Sequence, residues 1–515
     1  MVALAAGGRP YWENEGQFYM RRLPILLAIA ILFSLAAVPC TAAEDAETPA
    51  EDAETPEEPP FAPALLDDEA LRELRDETLE ELREYWQKPP AEVPPNAMEL
   101  AVNDAVLTAL RQNPQILVAR DEIDIARAQT RQAKSQRYPQ VGVQESYVYV
   151  EGAESAVGDL GFLSDIIGGG LEPSDTFRRD QLSISQTLYT GGQIAAAVRA
   201  SEFLAESQEW RWQAELNDLE YQTREAYYNA LLARALIRVA EESVVTFRRH
   251  LADTQQMFDV GLVSQFEVLR ARTELNARQS NWVAAKNGER LALVNLRRIM
   301  AIEQDRPLVL TSSLDIEPVE ESLAELIAQA EEARPELNAL NRAILAAGQD
   351  VRGAKGRYLP SAAASAEYLN VDKGGATQPD GWTLALGAEW EVFAGGRRKA
   401  RVAEARAREQ NLVNQRDDLQ RIIELDVRRA YIQMQDALAK IMEERSTVEF
   451  AREGLRLAQL RFQEGVGTQV EILDAELALT SAESSLIQGL RDYSVAHASL
   501  LRATGRTSFP EITFE

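Results

Sequence analysis

The sequence predicts a mainly α-helical chain that carries a membrane β-barrel, and three observations predict it. A long block is written twice, each copy holds a very long helical stretch, and each copy holds strands that alternate apolar with polar residues. Phe258-Asp-Val-Gly261-Leu-Val-Ser264-Gln-Phe-Glu-Val-Leu269 returns as Phe462-Gln-Glu-Gly465-Val-Gly-Thr468-Gln-Val-Glu-Ile-Leu473, a shift of 204 residues. Leu188-Tyr-Thr-Gly191-Gly192 returns as Val392-Phe-Ala-Gly395-Gly396 at the same shift, so Gly191 and Gly395 each stand 70 residues before the glycine of their Phe-x-x-Gly. A spacing kept without insertion needs a rigid object between the motifs. Internal repetition of this kind decides the fold before any single element is read.

Residues 1–43 read as upstream residues followed by a secretory signal. Met20-Arg21-Arg22 precedes an apolar run over residues 23–38 and the small residues Thr41-Ala42-Ala43. That is a basic start, an apolar core and a cleavage site, which implies export with Met20 as the start and cleavage near Ala43. The alternative is a single membrane helix, but sixteen apolar residues with Pro24 among them are short for a span. Cys40, the one cysteine, excludes a disulfide framework and offers an acylation site beside the apolar run.

Residues 44–96 read as an acidic disordered linker with one amphipathic helix. Glu-Asp-Ala-Glu-Thr-Pro occurs twice there, a composition that cannot bury a core. Between Glu44 and Pro95 stand 18 acidic and 4 basic side chains, so this tail carries −14 of the chain's −28. The acidity is a property of the tail and argues against nucleic acid as a partner. Leu71, Leu74, Leu82 and Tyr85 give a weak helical stripe over residues 66–86, which Pro89-Pro90 and Pro94-Pro95 end.

The repeated body spans residues 97–301 and 335–505, with a connector over 302–334 and a tail over 506–515. In the first copy a helix from Pro114 leads to Lys134-Ser-Gln-Arg137-Tyr138-Pro139. In the second, a helix from Pro335 leads to Lys355-Gly-Arg357-Tyr358-Leu-Pro360, now at a shift of 221. The 17-residue difference falls between Pro139 and Gly191 and reads as a loop over about 156–176 holding Gly168-Gly-Gly170. Each half is therefore helix, strand, loop, strand, long helix, glycine break, helix.

No proline interrupts Gln193 to Val260 or Arg397 to Glu464, so each is one rod of about 100 Å at 1.5 Å per residue. Leu419, Ile423, Val427, Ala430, Met434, Leu438 and Ile441 step by 4, 4, 3, 4, 4, 3, an 11-residue period that fits a nearly straight helix. A rod with one narrow apolar stripe needs lateral neighbours. In the strands, Trp382, Leu384, Leu386, Ala388, Trp390 and Val392 alternate with polar or small residues, and Leu182, Ile184 and Leu188 do the same in the first copy. Strands apolar on one face suit a membrane barrel; the alternative is a soluble sheet packed on the helices. Four strands leave two raw edges and cannot close alone, so several chains must each contribute four. An exported chain with such rods and a jointly built barrel makes a tube.

These residues resemble the TolC-type outer-membrane channel family, the exit ducts of tripartite efflux pumps and type I secretion systems. The resemblance rests on the duplicated body, Asn113-Pro114, the Gly-Gly pairs at the strand-to-helix junctions (Gly191, Gly192, Gly395, Gly396), Phe258-Asp-Val-Gly261-Leu-Val, and Gly465-x-x-Thr468-x-Val-Glu-Ile-Leu-Asp474. It covers about residues 97–505. It implies a homotrimer whose three times four strands form one 12-stranded barrel in the outer membrane. It further implies duplicated antiparallel helical hairpins forming a tunnel through the periplasm, and a periplasmic adaptor and inner-membrane transporter as partners.

Gly261 and Gly465 read as helix-to-helix turns at one end of the rods. Glu471 and Asp474, at i and i+3, share a helix face just after the second turn, and in a trimer would form a ring of six carboxylates that favours cations. The resemblance places such acidic positions at the periplasmic aperture, with an adjoining aromatic, here Phe462, that ties it shut. Gly467 stands where the family pattern can carry a basic linker residue. The first copy offers Glu267 and Arg270 at the matching positions, and Arg270 is the candidate cation for Asp474. The alternative is a solvated helix face. The exposed tips Gly261-Leu262-Val263-Ser264 and Gly465-Val466-Gly467-Thr468 suit docking by the adaptor.

The sequence contains no phosphate loop, nucleophile elbow or metal-spaced cluster, and His250 and His497 lie far apart, so no enzyme activity, cofactor or metal is expected. A pore-free coiled-coil scaffold or adhesin is the competing class, and the alternating strands are what distinguish the two.

Overall fold

The computed structural model describes residues 97–151, 174–314, 316, 319, 321–373, 376–377 and 381–506. The signal, Cys40, the acidic linker with its helix, and most of the glycine-rich loop lie outside them. The elements in order are β1 (Met98–Leu100), α1 (Val102–Gln112), α2 (Pro114–Ser135), β2 (Gln140–Glu151), β3 (Ser174–Tyr189), α3 (Gln193–Asp259), α4 (Gln265–Met300) and β4 (Leu308–Leu310). Then follow α5 (Leu323–Ala333), α6 (Pro335–Gly356), β5 (Ser361–Lys373), β6 (Ala376–Thr377), β7 (Gly381–Glu389), α7 (Arg397–Gln463) and α8 (Gln469–Ala503).

The two longest helices, α3 and α7, each run unbroken for 67 residues, about 100 Å. The burial pattern corrects the expected 11-residue period. Val427, Met434, Ile441, Val448, Leu455 and Phe462 are all buried, a strict step of seven, while Leu419 and Leu438 are only partly covered. On α8 the buried positions Ile472, Leu479, Leu486, Tyr493 and Leu500 also step by seven. A heptad seam on both partners is the pattern of a left-handed coiled coil, because 3.5 residues per turn keeps each stripe against the other. Small residues bring the pair close: Ala482, Gly489, Ala496 and Ala503 form a second seven-step row, and a Cβ on Gly489 would lie 3.1 Å from Ile441 Cγ1. The 11-residue reading failed because Leu438 outranks Ala437 in hydrophobicity, whereas the seam takes the alanine that fits.

Local chemistry sets the helix ends. Asn113 caps α2, its Oδ1 accepting from Gln115 N at 2.8 Å with Pro114 in the first turn, while its Nδ2 donates to Ile299 O at the end of α4. Ser322 and Glu325 form a reciprocal capping box on α5. A parallel pair unforeseen from sequence, β1 with β4, ties the start of the first copy to the connector. The fully buried Tyr227 secures it, its hydroxyl donating to Leu100 O at 2.7 Å and accepting from Ser312 N at 3.0 Å. Arg334, 4% exposed, does the same for the second copy, reaching Ala503 O, Glu336 and Asp426.

The four long strands form an antiparallel sheet in the order β2-β3-β5-β7, with the short β6 folded back on β5. β3 begins at Ser174, inside the range expected to be loop, and β7 ends at Glu389, so Trp390 and Val392 lie beyond the strand. The register builds two different faces. Val141, Ile184, Ala366 and Leu384 lie across one row, and Val143, Leu182, Tyr368 and Trp382 across the next. Toward the helices the same face continues through Ala364 with Leu386 and Ala362 with Ala388. At about 3.4 Å per residue this apolar band is about 20 Å tall, and it ends at the polar row Glu145, Asp180 and Asn370. Leu384, Leu386 and Val143 are each more than three-quarters exposed. The opposite face carries Gln140, Ser185, Gln144, Gln181, Ser183 and Glu367.

Candidate functional site: the helix-turn tips and the strand-helix junctions

The two turns joining the long helices to their partners have the same construction. Gly261 and Gly465 adopt the left-handed conformation (φ +80° and +73°). Leu262 N donates back to Met257 O at 2.8 Å, and Val466 N to Arg461 O at 3.0 Å, so each helix ends in a Schellman turn. The next helix starts at Ser264 in one copy and Thr468 in the other, both extended, and only Thr468 caps with its side chain, accepting from Glu471 N. Leu262 and Val466 stand 74% and 68% exposed at the tips, while Val263 is half-buried. Gly467 has a physical reason of its own: a Cβ there would lie 2.8 Å from Phe462 N and 2.9 Å from Arg461 C. Its N–H donates to Arg461 O at 2.8 Å, so the second turn is folded too tightly for the basic side chain of the family pattern.

The expected acidic pair is divided by its surroundings. Glu471 accepts from Arg461 Nε at 3.2 Å across the turn and from its own cap, whereas Asp474 is exposed and has no ion-pair partner among the described residues. No ion pair joins Arg270 to Asp474 among the described residues, and Arg461, which the sequence reading missed, is the cation on Glu471. Its signal was legible: a basic last turn facing an acidic first turn across five residues. Glu267 sits half-buried in the first turn of α4 with Oε2 lacking a hydrogen bond. Phe462 is buried, its ring 5.1 Å from the His250 ring of α3, so it links the two hairpins. His250 also meets Phe247 edge-on, and Phe247 lies under the Arg278 guanidinium at 4.8 Å.

Behind the tips the contact between α3 and α8 mixes apolar packing, Leu473 against Val244 and Phe247 and Ile487 against Ala235 and Val239, with buried polar side chains. Gln469, Glu476 and Glu483 step by seven along α8. Burial, with Glu242 adding to it, pushes the Glu483 carboxyl up to about 6, while Arg452 at 3.3 Å opposes the rise. Burial likewise raises Glu476, opposed by the charge of Arg278. His250 is held below its ordinary value by burial, against Asp253. Among the described residues, eight of the thirteen buried side-chain atoms without a hydrogen bond belong to Ser243, His250, Glu267, Arg278, Trp282, Gln469 and Glu476. This stretch is the least satisfied in the described chain.

At the other end of the rods, Gly191, Gly192, Gly395 and Gly396 all have positive φ, from +54° to +85°, and each pair stands directly before its long helix, where it turns the chain coming from the strand into the rod. Gly191 also packs backbone to backbone against Gly356 at the end of α6. Trp390 Nε1 donates to Tyr358 O at 3.1 Å, and Gln186 Nε2 near the end of β3 to Arg137 O at 3.0 Å, so in both copies the chain approaching the junction is tied to the turn that leads from the short helix into the preceding strand.

With this geometry in place, comparison with known proteins decides the family. The profile of the outer membrane efflux protein family matches residues 106–301 and 326–506. The chain belongs to the outer membrane efflux protein family. It is 24% identical over 360 residues to outer membrane efflux protein BepC of Brucella suis, covering 67% of this chain and 76% of that one. It is 22% identical over 407 residues to outer membrane protein TolC of Escherichia coli, covering 76% and 80%. The solved structure of the outer-membrane channel OprN superposes with a TM-score of 0.66 at 20% identity, over 79% of this chain and 90% of that one, so the efflux-protein fold is shared.

Proposed function

We propose that three copies of this efflux-family chain close one 12-stranded barrel in the outer membrane above one helical tunnel, and that the assembly is an exit duct. The observation that carries this reading is the four-stranded sheet: it has a band of apolar side chains about 20 Å tall on one face and open edges at β2 and β7. A lipid-facing sheet with free edges leaves backbone groups without partners, and joining edges between copies satisfies them. A pore-free scaffold has no use for that band.

The duct works with a periplasmic adaptor and an inner-membrane transporter, and passes what the transporter loads. The exposed tips around Leu262 and Val466 are the adaptor contact. Asp474, with Glu471 held by Arg461, lines the periplasmic aperture, with Glu267 and Arg270 at the matching positions of α4. The seam of His250, Phe462 and Glu476 is where the two hairpins part when the aperture opens. Reconstitution of the purified chain in planar bilayers tests the reading: discrete, long-lived cation-preferring conductance steps are expected, and a bilayer that stays silent at every protein concentration contradicts it.

A further inference from the structure

We propose that a recess at the foot of the sheet binds the anionic end of an amphipathic organic cargo, held by Arg357 and Arg401; this rests on the channel reading, which makes the recess part of the lumen. The recess, about 850 Å³, lies where α2, α3, α6 and α7 meet the strands. Its wall includes Gln140 and Ser185, which are cross-strand partners on the polar face of the sheet, opposite the apolar band. In a closed barrel that face looks inward.

The chemistry of the wall is divided as a site for an amphipathic molecule requires. One part is apolar and small: Ile194, Ala196 and Ala197 of α3 face Ala347 and Ala354 of α6, and a Cβ on Gly353 would sit in ordinary contact with Ala196 at 3.6 Å. The other part is cationic. Arg408 is engaged by Glu404 at 2.6 Å and by the charge of Asp350, a group of three that keeps one negative charge, so with Arg357 and Arg401 the charged side chains of the wall sum to +1. Arg357 and Arg401 remain, both exposed, with no ion pair among the described residues. Their neighbours outside the recess are committed, Arg397 to Glu391 and Arg398 to Val392 O and the Tyr358 ring. Two unpaired guanidiniums beside an alanine floor match a carboxylate, sulfate or sulfonate on an apolar body, because the planar fork bonds such oxyanions in pairs. A free inorganic anion would leave the floor unfilled.

The site would give the duct a chemical preference at its barrel end that differs in sign from the acidic tip. The probe is 8-anilinonaphthalene-1-sulfonate, an amphipathic sulfonate, applied to the full chain conducting in a planar bilayer, with the cationic dye rhodamine 6G as the comparison. The parent is expected to show concentration-dependent current block by the sulfonate at concentrations where the cationic dye does nothing. R357Q/R401Q is expected to weaken block by about tenfold or more. A197W, which fills the floor and leaves both guanidiniums, is expected to remove it. Block of equal strength by both dyes, or block unchanged within twofold in R357Q/R401Q, overturns the proposal while the measured conductance upholds the channel. A parent that never conducts removes the channel reading and this site with it.

Discussion

Gly191 and Gly356 touch through their backbones: a Cβ on Gly191 would lie 2.3 Å from Gly356 O, and one on Gly356 would lie 2.5 Å from Gly191 O. The first is the strand-to-helix junction of the first copy and the second ends the short helix of the second copy. The contact therefore sets how closely the two copies approach below the sheet. Gly356→Ala should cost roughly 2 kcal/mol or more through overpacking, since the atom it meets is backbone and cannot rotate away. Gly353→Ala, three residues earlier in the same helix with its nearest neighbour at 3.6 Å, should be neutral or stabilising by up to about 1 kcal/mol. Thermal unfolding of the two variants side by side checks this, and equal losses would remove the close approach from the account.

The two acidic positions after the second turn should behave differently. Glu471 is partly neutralised by Arg461, while Asp474 is not, so D474A should lower cation preference more than E471A does. R461Q should raise the preference by releasing Glu471. Reversal potentials in asymmetric salt give the order, and a larger loss in E471A than in D474A would contradict it.

The polar seam carries a pH dependence whose sign follows from burial. Glu483 is raised from 4.5 to about 6, so the folded chain holds that proton more tightly than the unfolded one. Its contribution is greatest below about 4.5 and is lost as pH rises through 6, the loss reaching about 2 kcal/mol at neutrality. Glu476 acts in the same direction. Facing them are Glu242 and Ser243 from α3, Arg278 from α4 and Arg452 from α7. His250 works in the opposite direction, because its lowered value removes stability as pH falls through 6.5. Thermal midpoints between pH 5 and 8 should fall on the alkaline side in the parent, and fall less in E476Q/E483Q. An unchanged slope in that variant would show that the carboxyls do not titrate in this range.

The ring contact at the tip predicts coupling between hairpins. Phe462→Ala and His250→Ala should each destabilise, and the double variant should cost less than the two singles together by about 0.5–1.5 kcal/mol. Strict additivity would mean that the rings are neighbours without an interaction.

Much of this was legible in the sequence because it depends on spacing. The 204-residue repeat located both rods, both glycine turns and both Gly-Gly junctions, since an insertion anywhere in a rigid helix would have moved one motif against the other. Alternation from Trp382 to Ala388 marked the lipid-facing side because a strand's side chains alternate faces. Packing across elements was not legible. Ala437 in place of Leu438 in the coiled-coil seam depends on how closely α8 approaches at Gly489, and the bareness of Gly467 depends on backbone contacts with Phe462 and Arg461. The ion pair of Arg461 with Glu471 likewise depends on how tightly the turn folds. The Met98–Leu100 and Leu308–Leu310 pairing joins segments of three residues each, too short to show a period.

The central claim is that copies of this chain close a barrel together, and the native mass of the protein extracted from outer membranes in mild detergent tests it most directly. The account predicts a trimer in that fraction. A monomer or dimer recovered soluble from the periplasm would contradict it.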